Sequence, residues 1–272
     1  MFILIEPYYG YHLQTLLSLG VVPRYVKTSP PDWALSLGEL EAACSPKTRG
    51  IMLNTPANPS GKVFSRAELE MIAKLAIKRD LFVFTDEIYE YFLYDRREHV
   101  SPLSIPGMRE RTIAISGLSK TFSITGWRIG YAISAPQWSQ TIGYFNDLVY
   151  VCAPAPLQIG VARGLNELAE EYYVNLRAEY ARKRDRICTA LQKAGLPPCV
   201  PQGSYYVLAD ISRVPGRTSK ERAMRLLKDS GVACVPGEAF YHELQDGQTL
   251  GRFCYAKKDE VLDAACRRLE TC

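Results

Sequence analysis

The chain has 272 residues, 47% of them apolar and 23% charged, the make-up of an ordered globular protein large enough for one sizeable domain and a smaller one. Its formal charge of +4 is spread along the sequence without a basic block, so neither a nucleic acid nor an anionic membrane is implied as a partner. Eight cysteines with no C-x-x-C pair, and three histidines as scattered as His12, His99 and His242, speak against a metal site or a disulfide framework.

In chain order, the apolar start Met1 to Ile5 is too short for the core of a signal peptide and runs straight into Glu6-Pro7. It reads as a buried strand over Phe2–Ile5, in a cytoplasmic protein. Gly50–Leu53, Leu81–Thr85 and Thr112–Ser116 are further short apolar runs that end in polar or turn residues, and they too read as strands. Between them, Ser65-Arg66-Ala67-Glu68 is a capping box, followed by an apolar helical face of Leu69, Ile72, Ala73 and Ala76. Strands alternating with such a crossover helix predict an α/β fold, a mostly parallel sheet with helices on both faces. After Pro156 a helix is expected from about Leu157 to Leu168. A longer one follows from Glu170 to Ala194, closed by Gly195 and Pro197 and linking two domains. Beyond it come a strand at Tyr205–Ala209, a helix opened by Thr218-Ser219-Lys220-Glu221 and closed by Gly231, strands at Val232–Val235 and Arg252–Ala256, and a final helix. The expected division is therefore a large domain over 1–178 and a small α+β domain over 179–272.

In a parallel α/β sheet, ligands sit outside the carboxyl ends of the strands. Glu6-Pro7-Tyr8-Tyr9, Asn54-Thr55-Pro56-Ala57-Asn58, Asp86 and the segment Gly117 to Lys120 all fall at such ends, so four separate segments are expected to converge on one rim. The run from Gly117 to Gly130 sets Lys120 and Arg128 among small residues. A lysine amine can form a Schiff base with a carbonyl, and an arginine fork can hold a phosphate through paired, charge-assisted hydrogen bonds, so the arrangement suits a phosphorylated aldehyde. A carboxylate at the end of a strand, as at Asp86, serves either as a helix N-cap or as a charge partner in a site. Tyr89 is likewise either a packed aromatic or a functional phenol.

The run around Lys120 resembles the lysine-attachment signature of the class I/II aminotransferases, fold type I enzymes that use pyridoxal 5'-phosphate (PLP). The likeness extends through Thr85-Asp86-Glu87-Ile88-Tyr89, Asn58-Pro59-Ser60-Gly61, Pro201 to Tyr206, Val235 to Phe240 and Gly251 to Ala256, nearly the whole chain. The resemblance implies a catalytic set of Lys120, Asp86 and Tyr89. Lys120 would be the residue that binds the cofactor, and Asp86 would face the pyridine nitrogen. Tyr89 and Asn58 would donate to the phenolic oxygen, with Asn58 also near the substrate, while Tyr9 or its neighbour Tyr8 would stack on the ring. Arg128 would pair with the phosphate, Ser119 or Ser116 would donate to it, and Arg252 would clamp the substrate carboxylate. Gly117 stands where the family often has a phosphate-binding serine, and Cys254 and Tyr255 replace the serine and phenylalanine that follow the family's arginine.

The implied activity is transfer of an amino group between an amino acid and a 2-oxo acid, in a homodimer. The alternatives are a PLP-dependent lyase of the same fold, such as a C–S lyase or an aminocyclopropane-carboxylate synthase, a ligand-sensing domain of a transcription regulator, or a shortened form with little or no activity. The family carries a long segment ahead of the Glu-Pro-Tyr-Tyr position, whereas Met1 stands five residues before Glu6. By the resemblance that segment supplies an edge strand, a Gly-rich phosphate turn, part of the small domain and a tyrosine reaching into the partner's site. The expectation is therefore a longer reading frame upstream of Met1, or weaker cofactor binding and a more open site.

Overall fold

A computed structural model describes residues 1–271. Six strands form the first sheet: β1 (Phe2–Glu6), β2 (Pro23–Lys27), β3 (Gly50–Asn54), β4 (Phe82–Asp86), β5 (Thr112–Gly117) and β6 (Gly130–Ile133), in the order β2-β1-β3-β4-β5-β6. All pairs are parallel except β5 with β6, which is antiparallel. Neither β2 nor β6 is expected from the sequence. β2 opens on a proline, and its five residues Pro-Arg-Tyr-Val-Lys follow no strict alternation, which suits an edge strand and gives little periodic signal.

The inward residues of alternate positions, Ile3, Ile51, Leu53 and Val83, form one core with α2 (Leu37–Ala43) and α3 (Arg66–Arg79). On the opposite face Phe82 meets Trp138 of α4 (Pro136–Tyr150) edge-on at 4.9 Å, so helices cover both faces. α3 carries the expected reciprocal cap: Ser65 Oγ accepts from the Glu68 N–H at 3.3 Å, and Glu68 Oε2 accepts from the Ser65 N–H at 2.9 Å. Its apolar face buries Leu69, Ile72, Ala73 and Ala76 as the spacing predicts. Helices α1 (Gly10–Ser18), α2 and α4 are additions to the sequence reading.

α5 (Ala155–Glu167) and the long α6 (Glu170–Lys193) follow. The second sheet is antiparallel, in the order β7 (Pro198–Cys199), β8 (Tyr206–Asp210), β10 (Leu250–Cys254), β9 (Val235–Pro236). α7 (Ser219–Ser230) and α8 (Asp259–Glu270) complete it. Three expectations shift here. The strand expected at Val232–Val235 shrinks to Val235–Pro236, because β9 pairs with β10 only at Gly251 and Arg252, while Val232 is drawn into the core. The strand expected at Arg252–Ala256 lies two residues earlier, where its register against β8 ends at Cys254 opposite Tyr206. At α7 the cap is one-sided: Thr218 Oγ1 accepts from the Glu221 N–H, but Glu221 reaches back to the Arg217 N–H at 2.7 Å.

The second sheet, α6 and α8 share a core with Tyr89, Phe92 and Tyr94 from the segment after β4. Tyr94 and Tyr255 both donate to the Ser204 carbonyl, tying that segment to the second sheet. The end of β4 is thus held against the second sheet, which closes one side of the rim.

Candidate active site

The carboxyl ends of β1, β3, β4 and β5 lie side by side, and a cavity of about 550 Å³ opens above them. Tyr9, Asn58, Asp86, Tyr89, Ser119, Lys120 and Arg128 all line it. Arg252 stands behind Asn58, reached from the second sheet.

Asp86 ends β4, and its carboxylate is built in from two sides. Oδ1 accepts from the Ile88 N–H at 3.2 Å, and Oδ2 meets His12 Nε2 at 2.9 Å. His12 sits on the first turn of α1, edge-on to Tyr9 at 5.3 Å, and both its side chain and that of Asp86 are largely covered. The sequence reading treats His12 only as a lone histidine. The available signal is its spacing of three from Tyr9 at the start of a helix, which sets the two side chains on one face.

Asn54, at the end of β3, braces the next loop: its Nδ2 donates to the Asp86 carbonyl at 2.9 Å and its Oδ1 accepts from the Asn58 N–H at 2.7 Å. Asn58 is buried, and its Oδ1 accepts from Arg252 Nη1 at 2.8 Å. An arginine only donates, so the amide oxygen must face it, and the Asn58 NH₂ is left as the donor toward the cavity. Arg252 Nε is buried without a hydrogen-bond partner among the described residues. A buried, unpaired guanidinium N–H is costly, and an anion is what it lacks.

Tyr89 is buried, with its ring edge-on to Tyr205 at 5.0 Å and to Tyr206 at 6.0 Å, and burial drives its phenol far above the usual range, so it is a donor at any ordinary pH. Of the two candidate stacking tyrosines, Tyr9 lines the cavity. Tyr8 is buried against Tyr25 at 6.0 Å and gives its N–H to the Phe240 carbonyl. Burial, then the neighbouring Tyr11, Tyr206 and Asp86, raise the Tyr9 phenol as well, so its ring is neutral.

Lys120 follows β5 in a loop anchored by the buried Leu118, which packs with Ile129 and Val161. Among the described residues its ammonium has no carboxylate or carbonyl partner. Arg128 adopts a left-handed conformation, φ +59°, with Nη1 donating to the Thr125 carbonyl at 3.0 Å, and its side chain is exposed toward the cavity. Ser116 and Ser119 both line the cavity, but the Ser116 hydroxyl is spent on Glu90 Oε1 at 2.9 Å. A Cβ at Gly117 would sit 2.8 Å from the Ile129 carbonyl, so the close approach of β5 to β6 shuts out a serine at that position.

Chemically, this is a site with a braced carboxylate, two cations without acidic partners among the described residues and a tyrosine ring on one lining, and with a second arginine behind Asn58 whose buried Nε makes no hydrogen bond among the described residues. This lining would suit a flat, phosphorylated aldehyde with a basic ring nitrogen: Asp86 would hold the nitrogen, Lys120 the aldehyde and Arg128 the phosphate. The fold is that of an α/β protein whose candidate site gathers a carboxylate, a lysine and an arginine around one cavity at the strand ends. A family model described as aminotransferase class I and II matches residues 1–269, and the chain belongs to that family.

The chain is 38% identical over 251 residues to an aromatic-amino-acid aminotransferase 2 of Thermococcus litoralis, covering 92% of this chain and 62% of that protein. It is 35% identical over 293 residues to human kynurenine–oxoglutarate transaminase 3, covering 97% of this chain and 64% of that protein. The chain therefore spans less than two thirds of the length of these curated relatives. The solved structure of N-succinyldiaminopimelate aminotransferase from Mycobacterium tuberculosis superposes with a TM-score of 0.94 at 33% identity, over 99% of this chain and 71% of that one.

Proposed function

We propose that this chain carries the reaction site of a PLP-dependent aminotransferase, which exchanges an amino group between an amino acid and a 2-oxo acid. The observation that supports the reading best is that residues at the carboxyl ends of β3, β4 and β5 and in the segments that follow β1 and β5 line one cavity, with the Asp86 carboxylate and the Lys120 and Arg128 cations among them. When bound, PLP supplies an aldehyde that captures amines and a protonated ring that accepts the electron pair left when the substrate Cα–H bond breaks.

In this reading the Asp86 carboxylate, fixed by His12 and the Ile88 N–H, holds a proton on the ring nitrogen. Tyr89 and the Asn58 NH₂ donate to the phenolic oxygen, Tyr9 packs on the ring face, and Arg128 with Ser119 holds the phosphate. Lys120 Nζ is the amine that retains the cofactor and then moves the proton taken from the substrate Cα. Arg252 grips the substrate carboxylate, which turns the Cα–H bond into the orientation the ring requires.

The test is to add PLP, then a panel of amino acids, and follow the cofactor absorbance. Transamination predicts conversion to the amine form of the cofactor, reversed by a 2-oxo acid. Pyruvate and ammonia released from a thioether amino acid with no oxo acid present would indicate a lyase instead, and PLP binding without turnover would indicate a sensing or inactive form.

We also propose that the chain works as a homodimer in the cytoplasm. In support, α4 exposes Tyr144, Phe145, Leu148 and Val149, an apolar face that a second copy would cover. The seven cysteines among the described residues are free, as a reducing compartment would keep them. Among the described residues no helix is long and apolar enough to cross a membrane. The division into 1–178 and 179–272 follows the two sheets and is proposed on that ground, with limited proteolysis near the middle of α6 as its check.

A further inference from the structure

We propose that Tyr206 is a positioning residue for substrate binding: its ring, with that of Phe240, holds the Arg252 guanidinium flat so that its open edge is presented to a carboxylate. The proposal rests on the reading of Arg252 as the carboxylate-binding residue.

The register of the second sheet makes the contact. Arg252 on β10 faces Leu208 on β8, and Tyr206 lies two residues along the same strand, the diagonal neighbour on the same face. The Arg252 guanidinium carbon lies 4.2 Å from the Tyr206 ring centroid and 5.0 Å from that of Phe240, so aromatic rings flank it. Asn58 Oδ1 takes Nη1, while the buried Nε has no partner among the described residues. A long arginine otherwise samples many rotamers, and each bound carboxylate would have to freeze them. Aromatic packing fixes the plane in advance, Asn58 holds Nη1, and Nη2, which makes no hydrogen bond among the described residues and is not among the buried atoms, is left for the ligand. The same Tyr206 ring is also edge-on to Tyr89, so one side chain touches both the arginine and the buried phenol.

The test is isothermal titration of 3-phenylpropionate, a carboxylate with no amine, into PLP-loaded and cofactor-free protein, with transamination kinetics run in parallel. Tyr206→Leu should weaken binding of this probe about five- to thirty-fold, the loss expected for a desolvated cation–π contact. Tyr206→Phe should restore it, since the ring remains. In a cycle with Arg252→Lys, the second substitution should add little to the first, and KM for amino acids should rise while kcat changes far less. Equal affinity in Tyr206→Leu and wild type, fully additive losses, or failure of Tyr206→Phe to restore binding would each overturn the proposal. So would a wild-type protein that does not bind the probe. These outcomes are separate from the functional reading, because the titration needs no turnover: a protein that transaminates but lacks the coupling loses only this inference, and one that shows the coupling without turnover loses only the activity.

Discussion

Asp86 shows how much of a functional residue lies outside the residue itself. Its position at a strand end and its likeness to the family aspartate are readable from the sequence, whereas the histidine that fixes it is not, because His12 is 74 positions away and joined only through the fold. Replacing His12 with alanine should leave the fold intact and slow the half-reaction at least about tenfold, the scale of roughly 1.4 kcal/mol lost with a hydrogen bond to a charged group. Asp86→Asn should cost more, several kcal/mol in barrier, since a neutral amide cannot hold the ring nitrogen protonated. Stopped-flow rates on protein shown to hold PLP check both, and a near-normal rate in either variant would contradict the assigned part. Arg252→Lys should raise KM for amino acids strongly and leave PLP affinity almost unmoved, because a point charge replaces a two-pronged grip. If PLP affinity fell instead while amino-acid affinity held, Arg252 would belong to the cofactor end of the cavity.

Among the elements, α3 was the most legible, since its cap and apolar spacing are local. What the sequence does not show is that Glu68 also closes an ion pair with the buried Lys62 at 2.7 Å. Burial raises the Glu68 carboxyl, but the Lys62 ammonium and the Ser65 donors outweigh it and leave it below the ordinary carboxylate range. A carboxyl held low in the folded state adds stability that is complete above its unfolded pKa and is lost as pH falls through the folded one. Denaturation midpoints should therefore drop on acidification below about pH 4.5 in the wild type, and this part of the drop should be missing in Glu68→Gln. That variant should also lose about 3 kcal/mol at neutral pH, because the buried ammonium is left uncompensated. Chemical denaturation across pH measures both, and a Glu68→Gln curve parallel to wild type would exclude the linkage. α5 has a quieter role. Gly160 and Gly164 face the lysine loop, where added Cβ atoms would come within 2.9 Å of Trp127 and 3.0 Å of Phe122. Gly160→Leu should cost about 1–3 kcal/mol by overpacking and loosen PLP binding, as read by melting and by cofactor titration. Unchanged PLP affinity would show that the loop does not lean on this helix. The strands β2, β6 and β7 escaped the sequence for a shared physical reason: each is short and at a sheet edge, so its pairing is dictated by a neighbour rather than by its own periodicity.

At the scale of the whole molecule, the sequence made the rim visible because each contributing segment ends a strand, and strand ends in a parallel sheet share one side. It could not show Tyr206, Asn54 or the choice of Tyr9 over Tyr8 as the cavity-lining ring. Those depend on how the second sheet and the 89–94 segment close over the rim, through contacts more than a hundred residues apart such as Tyr94 with Ser204. The closed side of the rim also explains why the candidate chemistry is spread over both sheets, with Arg252 reaching Asn58 across 194 positions of sequence. The central claim is that this cavity holds PLP through Lys120. Borohydride reduction of the PLP-loaded chain fixes the pyridoxyl group to the amine that retains it, and peptide mapping then identifies the residue. The account predicts a single label at Lys120 that disappears in Lys120→Ala. A label on another lysine, or retention of the label in Lys120→Ala, would contradict it.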